Sequence, residues 1–202
     1  MGLSDLTVQV IIFRLLALLV IAPVHGLVLA GSAALLGDKG PGYDGRLSIL
    51  PTGHLDLVGT IGMVVFGLGW AKPVDIDAGQ LRGGRIGILA VILAGALGLL
   101  ALAVIFAALV LPAVTTLSHT AALTTAAFLR AASSLSIWVA LFSLVPVPPL
   151  AGGMLLGACG IRIPRQAEWV VVALLLAAVA TGVARDLLGP AHGILEAIIL
   201  EG

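Results

Sequence analysis

The sequence predicts an all-α polytopic membrane protein, a single integral membrane domain over residues 1–202. Two observations carry this. Hydrophobic residues make up 60% of the chain and charged residues only 10%, against roughly 25% charged in soluble domains. The apolar residues are also gathered into long stretches, several near or above the ~20 residues that a helix needs to cross a bilayer. The formal net charge of zero gives no basic face for nucleic acid. The single cysteine, Cys159, excludes an internal disulfide, and its apolar setting predicts a small packing residue. Residues Met1–Asp5 lack the basic run of a cleaved leader. Leu6 stands where a myristoylation signal has Ser or Thr.

Four stretches are predicted to span: Val8–Leu36, Ile86–Leu111, Ala121–Val145 and Trp169–Ala184. A fifth, Leu55–Trp70, is short and carries Gly59, Gly62, Gly67 and Gly69. It either spans or re-enters, and charge favours re-entry. Loop 37–54 holds Lys39 and Arg46, loop 71–85 holds Lys72, Arg82 and Arg85, and loop 146–168 holds Arg162 and Arg165. Loop 112–120 has no Lys or Arg. With Leu55–Trp70 re-entrant, all three basic loops share one side, cytoplasmic by the positive-inside rule, and both termini lie outside. Such a segment needs protein or water around its irregular backbone. The tail Gly193–Leu200 is too short to span and is expected at the interface. Residues Asp44–Asp56 alternate as a short strand would. Pro146, Pro148 and Pro149 end the helix pattern after Val145, because proline has no backbone N–H to continue it.

Two motifs add a family resemblance. Residues 142–153 read Phe-Ser-Leu-Val-Pro-Val-Pro-Pro-Leu-Ala-Gly-Gly, and residues 66–74 read Phe-Gly-Leu-Gly-Trp-Ala-Lys-Pro-Val. Together they resemble the site-2 protease family of intramembrane zinc metallopeptidases. The resemblance covers about residues 20–160, leaving a C-terminal helix and tail at 167–202. It implies a site-2 protease-like helical core with a short β element at 44–56 and a proline-rich break that places an Asp near zinc. That Asp position is Ala151 here.

The other positions implied by the resemblance have also changed. An active member carries His-Glu-x-x-His, with both imidazoles on one helix face as zinc ligands and the Glu activating a metal-bound water. The matching stretch is Ala22-Pro-Val-His-Gly-Leu-Val-Leu-Ala30. His25 fits the first ligand, Gly26 stands at the Glu and Leu29 at the second His. The family Asn before the Asp is Ser143, and the Asn of the following helix is Leu99. Glycine and alanine have no functional side chain, and leucine has no lone pair. The resemblance therefore implies a pseudoprotease with no cofactor, in which His25 is a residual ligand position.

Elsewhere the residues offer less. His54 and Asp56 are expected in an interfacial turn, and His119 and His192 as solvated interfacial residues. Ser133, Ser134 and Ser136 are expected to hydrogen-bond within or between helices. Arg130 lies deep in an apolar stretch, where a charge needs a partner or must snorkel. Arg14, nearer a helix end, is expected to snorkel. Both are candidate contacts for a partner. The pairs Gly26/Ala30 and Ala94/Gly98 predict close helix packing.

Three function classes remain open on this reading. The first is a catalytically inactive site-2 protease-like subunit that binds other transmembrane proteins and lipid in the bacterial inner membrane. The second is an active zinc metalloprotease with displaced ligands. The third is a small transporter or cofactor-binding membrane protein.

Overall fold

A computed structural model describes residues 6–161 and 163–201, with the side chains of residues 165 and 201 excepted. The expectations for Met1–Asp5 and for Arg162 lie outside the described residues.

Thr7 starts the first helix, its hydroxyl accepting from Val10 N at 3.2 Å. Helix α1 (Val8–Leu36) is followed by α2 (Gly40–Tyr43), a 3-10 turn (Pro51–Gly53), α3 (Leu57–Phe66), α4 (Arg85–Ala108), α5 (Val110–Thr116) and α6 (His119–Ser143). Then come α7 (Met154–Ala158), α8 (Arg165–Ala180), α9 (Val183–Glu196) and a final π turn. Three helical runs are long and apolar enough to cross a membrane: α1, α4 with α5, and α6. The pair α8/α9 forms a fourth candidate, bent by 64°. The expected span Trp169–Ala184 thus stops earlier, at Ala180, where Gly182 turns through a positive φ of 86°. This is an integral membrane protein.

The fifth apolar stretch does not cross. Helix α3 has 10 residues, about 15 Å at 1.5 Å per residue, half of a ~30 Å hydrocarbon core. After it the chain runs back alongside. Leu55 bridges Ala71, and Lys72 N donates to His54 O at 2.8 Å. Arg82 N then donates to Leu36 O at 2.7 Å, so residues 37–84 begin and end at the same end of α1. The returning backbone touches α3 directly: a Cβ on Gly59 would overlap Trp70 O, and one on Gly69 would overlap Gly59 O. That contact is why the stretch is glycine-rich.

The expected β element at 44–56 does not form. Among the described residues there is no strand, only the isolated Leu55–Ala71 bridge. Gly45 at φ 71° and the turn at Pro51–Gly53 break the alternating run. The carbonyls that a neighbouring strand would use are taken by a side chain. Buried Arg46 donates to Gly53 O, to Lys72 O at 3.0 Å and to Pro73 O. Burial lowers the Arg46 pKa from its ordinary value and the Asp44 carboxylate opposes this; a guanidinium stays charged regardless. Asp38, also buried, accepts from Gly40 N and from Asp77 N, both at 2.8 Å.

The apolar core lies in three clusters. One joins α1, α4 and α6 through Leu18, Ile21, Leu99, Phe106 and Val139. A second, toward the loop end, packs Leu29, Ala33, Ile88 and Ile92 on Val74 and Leu81, with Met154 of α7 against it. The third holds Leu68 and Trp70 against Phe142, Leu150 and Leu175. The tail is not merely interfacial, since α9 lies on α6. His192 is buried rather than solvated and stacks on Trp138, ring centroids 4.1 Å apart. The serines behave as expected: Ser133 donates to Ala103 O of α4 at 2.9 Å, and Ser136 to Ala132 O at 2.8 Å. Cys159, expected to pack, is instead exposed after α7.

Two outcomes check this architecture. With Cys159 removed, a cysteine at position 44 should react with an impermeant thiol reagent from the same membrane face that labels Cys159 in the parent chain. Labelling from opposite faces would break the re-entrant assignment. Separately, Gly69→Ala should destabilise the folded protein by about 1–3 kcal/mol through overpacking. Gly31→Ala, where an added Cβ meets nothing within 4 Å, should be close to neutral; unfolding in mixed detergent would compare them.

Candidate functional site

Helix α1 turns His25 and Leu29 toward the proline-rich loop and the returning segment. A cavity of about 30 Å³ lies there. His25 and Leu29 come from α1, Gly69–Val74 from the returning segment, Val139 and Ser143 from α6, and Pro149, Leu150, Ala151 and Met154 from the loop and α7. Four of the positions singled out in the sequence, His25, Leu29, Ser143 and Ala151, are thus brought together. The loop that carries Ala151 is tightly wound: a Cβ on Gly152 would overlap Val145 O, and one on Gly153 would lie 2.6 Å from Pro148 N.

The remaining two positions point elsewhere. Leu99 is fully buried among α1, α4 and α6. Gly26 faces His54, whose ring fills the space a side chain at 26 would need. A Cβ there would overlap His54 Nδ1 and lie 2.8 Å from Cε1. So Gly26 is not a helix-packing glycine. Ala94/Gly98 fits the packing expectation better, because a Cβ on Gly98 would sit 2.9 Å from Val28 Cγ2 of α1.

His54 is fully buried, against the interfacial turn expected of it, and its Nε2 lies 2.7 Å from Ser48 O. Nε2 therefore donates to that carbonyl, and Nδ1 is buried without a hydrogen-bond partner. Asp56 serves the backbone, its carboxylate capping α3 by accepting from Gly59 N at 2.7 Å. His25 is buried and its Nε2 has no hydrogen-bond partner. The cavity beside it exceeds the ~10–15 Å³ that one water needs, so solvent could satisfy that nitrogen.

Zinc does not suit these donors. A catalytic site takes three protein ligands and keeps one position open. Around the cavity His25 supplies one nitrogen, while Leu29 and Ala151 supply no donor. Ser143 Oγ is committed to Ala140 O at 2.7 Å. His54 lies across Gly26 with one nitrogen held by Ser48. Among the described residues no group of three or more His, Cys, Asp or Glu could hold a metal ion.

The two arginine candidates separate. Arg130 is exposed on α6, well inside the helix, with no hydrogen bond or ion pair among the described residues. Arg14 is turned inward instead of snorkelling: it is 6% exposed and donates to Val64 O at 2.7 Å and Val65 O at 3.0 Å. Sequence reasoning missed its counterpart, Arg185 of α9, which donates to Phe66 O and Gly67 O, both at 3.1 Å. The missed signal was a second arginine inside an apolar region, at the far end of the chain. Glu196 lies 3.5 Å from His192 and makes no contact with Arg130.

Comparison with known proteins agrees with the zinc-metalloprotease resemblance. The chain is 34% identical over 143 residues to a Bacillus subtilis protein described as "Putative zinc metalloprotease YwhC". The match takes in 69% of this chain and 65% of YwhC, so the chain spans a little under two thirds of that relative. The chain is a distant homologue of that protein. No protein-family model matches it, and no solved structure matches it significantly.

The Gly26–His54 contact yields a double-mutant test. Gly26→Ala should cost about 1–3 kcal/mol of stability by overpacking. In a His54→Ala background the same change should cost less, with a coupling of about 0.5–3 kcal/mol. Additive effects in chemical unfolding would show that the two residues do not share that space.

Proposed function

We propose that this chain is a catalytically inactive relative of the site-2 zinc metalloproteases, acting as a binding or structural subunit of a larger complex in the bacterial cytoplasmic membrane. One observation carries the reading. The cavity formed where the metalloprotease resemblance puts its metal gathers His25 with Leu29, Ser143 and Ala151, a set with one imidazole and no carboxylate. The position of the catalytic Glu is glycine, with the His54 ring seated against it. The elements around that cavity pack closely: the re-entrant hairpin, the tight Gly152–Gly153 loop and α7. A scaffold that holds transmembrane segments of other proteins can serve without cutting them. Arg130 supports a partner role, because a lipid-facing guanidinium deep in a helix is costly unless something meets its charge.

The competing enzyme reading needs two further metal ligands at this cavity. Purification from native membranes in gentle detergent, with subunit mass spectrometry and metal analysis on the same sample, separates the two. The expected outcome is a stoichiometric membrane partner and no bound zinc. One zinc per chain, together with cleavage of a membrane substrate that His25→Ala abolishes, would overturn the proposal. Arg130→Leu should weaken partner co-purification while leaving the chain folded.

A further inference from the structure

We infer that a second copy of this chain packs on the face formed by α6 and α9, held by two symmetry-related ion pairs between Arg130 of one copy and Asp186 of the other. The inference names a partner for Arg130. It rests on the partner role proposed above, not on the loss of catalysis.

The two charges border one surface. Ser134 of α6 meets α9, its hydroxyl 3.2 Å from His192 Nε2. Arg130 stands four residues earlier, so it lies on the same face of α6, one turn beyond that crossing. The rest of the face is bare: Thr120, Leu123, Thr124 and Ala127 are all exposed. On α9, Asp186 is exposed, as are Val183 and Leu187 near it. Neither Arg130 nor Asp186 has an ion pair among the described residues. The neighbouring charges are turned elsewhere. Arg14 and Arg185 reach carbonyls at the end of α3, and Glu196 sits beside His192. Asp186 lies in the first turn of α9, where an acid offsets the helix dipole. That accounts for its place in the helix and leaves the exposed carboxylate open to a cation outside the chain.

Height decides the occupant. Copies in one membrane share an orientation. Under a twofold axis along the membrane normal, residue i meets j as j meets i, and each meets only groups at its own height. A self-complementary pair must therefore be level, and this one is. Phe128, two residues before Arg130, meets Phe13 edge-on, ring centroids 5.6 Å apart, which sets Arg130 beside the level of Arg14. Arg14 and Arg185 approach the same α-carbon, 2.9 and 2.6 Å from a Cβ built on Gly67. Asp186, the next residue, is thus within about one or two helical turns of that level, a gap that the long Arg130 side chain can help to close. The small side chains at 120, 124 and 127 let a neighbouring helix approach closely, and Leu123 and Leu187 add apolar area to the contact.

The test uses the full chain in gentle detergent, with its mass read by native mass spectrometry over a dilution series. A dimer is expected. Arg130→Asp and Asp186→Arg should each weaken it by about tenfold, because both symmetry-related pairs turn repulsive. The double variant should recover the parent dimer. A monomeric parent chain, or a double variant no better than the weaker single one, would overturn the inference. Ala127→Trp, which keeps both charges and blocks the close approach, should also dissociate the dimer while far-ultraviolet dichroism stays unchanged; an intact dimer there would overturn this face as the interface. In native membranes, Leu123→Cys in a Cys159→Ser background should form a disulfide-linked dimer on oxidation. A monomer that co-purifies with a different membrane protein through Arg130 would overturn the dimer and leave the proposed function standing. A dimer that binds zinc and cleaves substrate would support the interface and overturn the proposed function.

Discussion

The buried end of a ten-residue helix is the constraint on which this structure turns. Helix α3 stops inside the protein, where water cannot satisfy its last carbonyl groups, and each unsatisfied group at membrane depth is expensive. Gly67 meets part of the need by adopting φ 70°, which lets its N–H donate to Met63 O at 2.8 Å. The carbonyls of Val64 and Val65 take Arg14, and those of Phe66 and Gly67 take Arg185. One arginine comes from the first helix and the other from the last. The ends of the chain are therefore locked together through the tip of the hairpin. The same logic repeats along the return path, where Arg46 holds the carbonyls of Lys72 and Pro73 and Asp38 holds the N–H of Asp77. Charged side chains rare in this sequence are placed where irregular backbone would otherwise be unpaired.

Close packing then bears on the cavity. The returning segment can line it only because Gly59 and Gly69 let two backbones touch. His54 reaches the α1 surface only because position 26 has no side chain. A glutamate at 26 and the present His54 ring would need the same volume. The glycine at 26 is thus tied to the seating of the loop that carries His54. Leu29 shows a related coupling: its Cδ2 lies 2.6 Å from where a Cβ on Gly95 would be. The apolar side chain at position 29 packs α1 against α4.

Much of the helical plan was legible because long apolar runs and prolines act locally. Val8–Leu36 and the α6 span were read nearly to the residue, and the clustering of Lys and Arg in three loops favoured re-entry. The convergence of His25, Leu29, Ser143 and Ala151 was legible only through the family resemblance, which implied a shared site for those positions. What was not legible depends on distant partners. The alternation at Asp44–Asp56 suggested a strand, but a strand needs a neighbour, and Arg46 occupies the carbonyls that one would use. Arg14 looked like a snorkelling residue because the sequence cannot show that a helix ending at Phe66 comes to rest beside it. His192, 58 residues from Ser134 in sequence, looked solvated until α9 was laid across α6.

The arginines also show why one residue type has opposite meanings in this chain. Arg14 and Arg185 lie where the fold supplies carbonyl groups, so their burial has a local reason. Arg130 has no such reason among the described residues: it faces outward from α6, in the part of the helix where hydration is least available. Arg14 can be explained by hairpin architecture alone. Arg130 cannot, and the fold would be no less complete with leucine in its place. A costly residue that supports nothing inside the chain must either snorkel to the interface or meet a group outside the chain. That difference is why Arg130, and not Arg14, supports the proposed partner role.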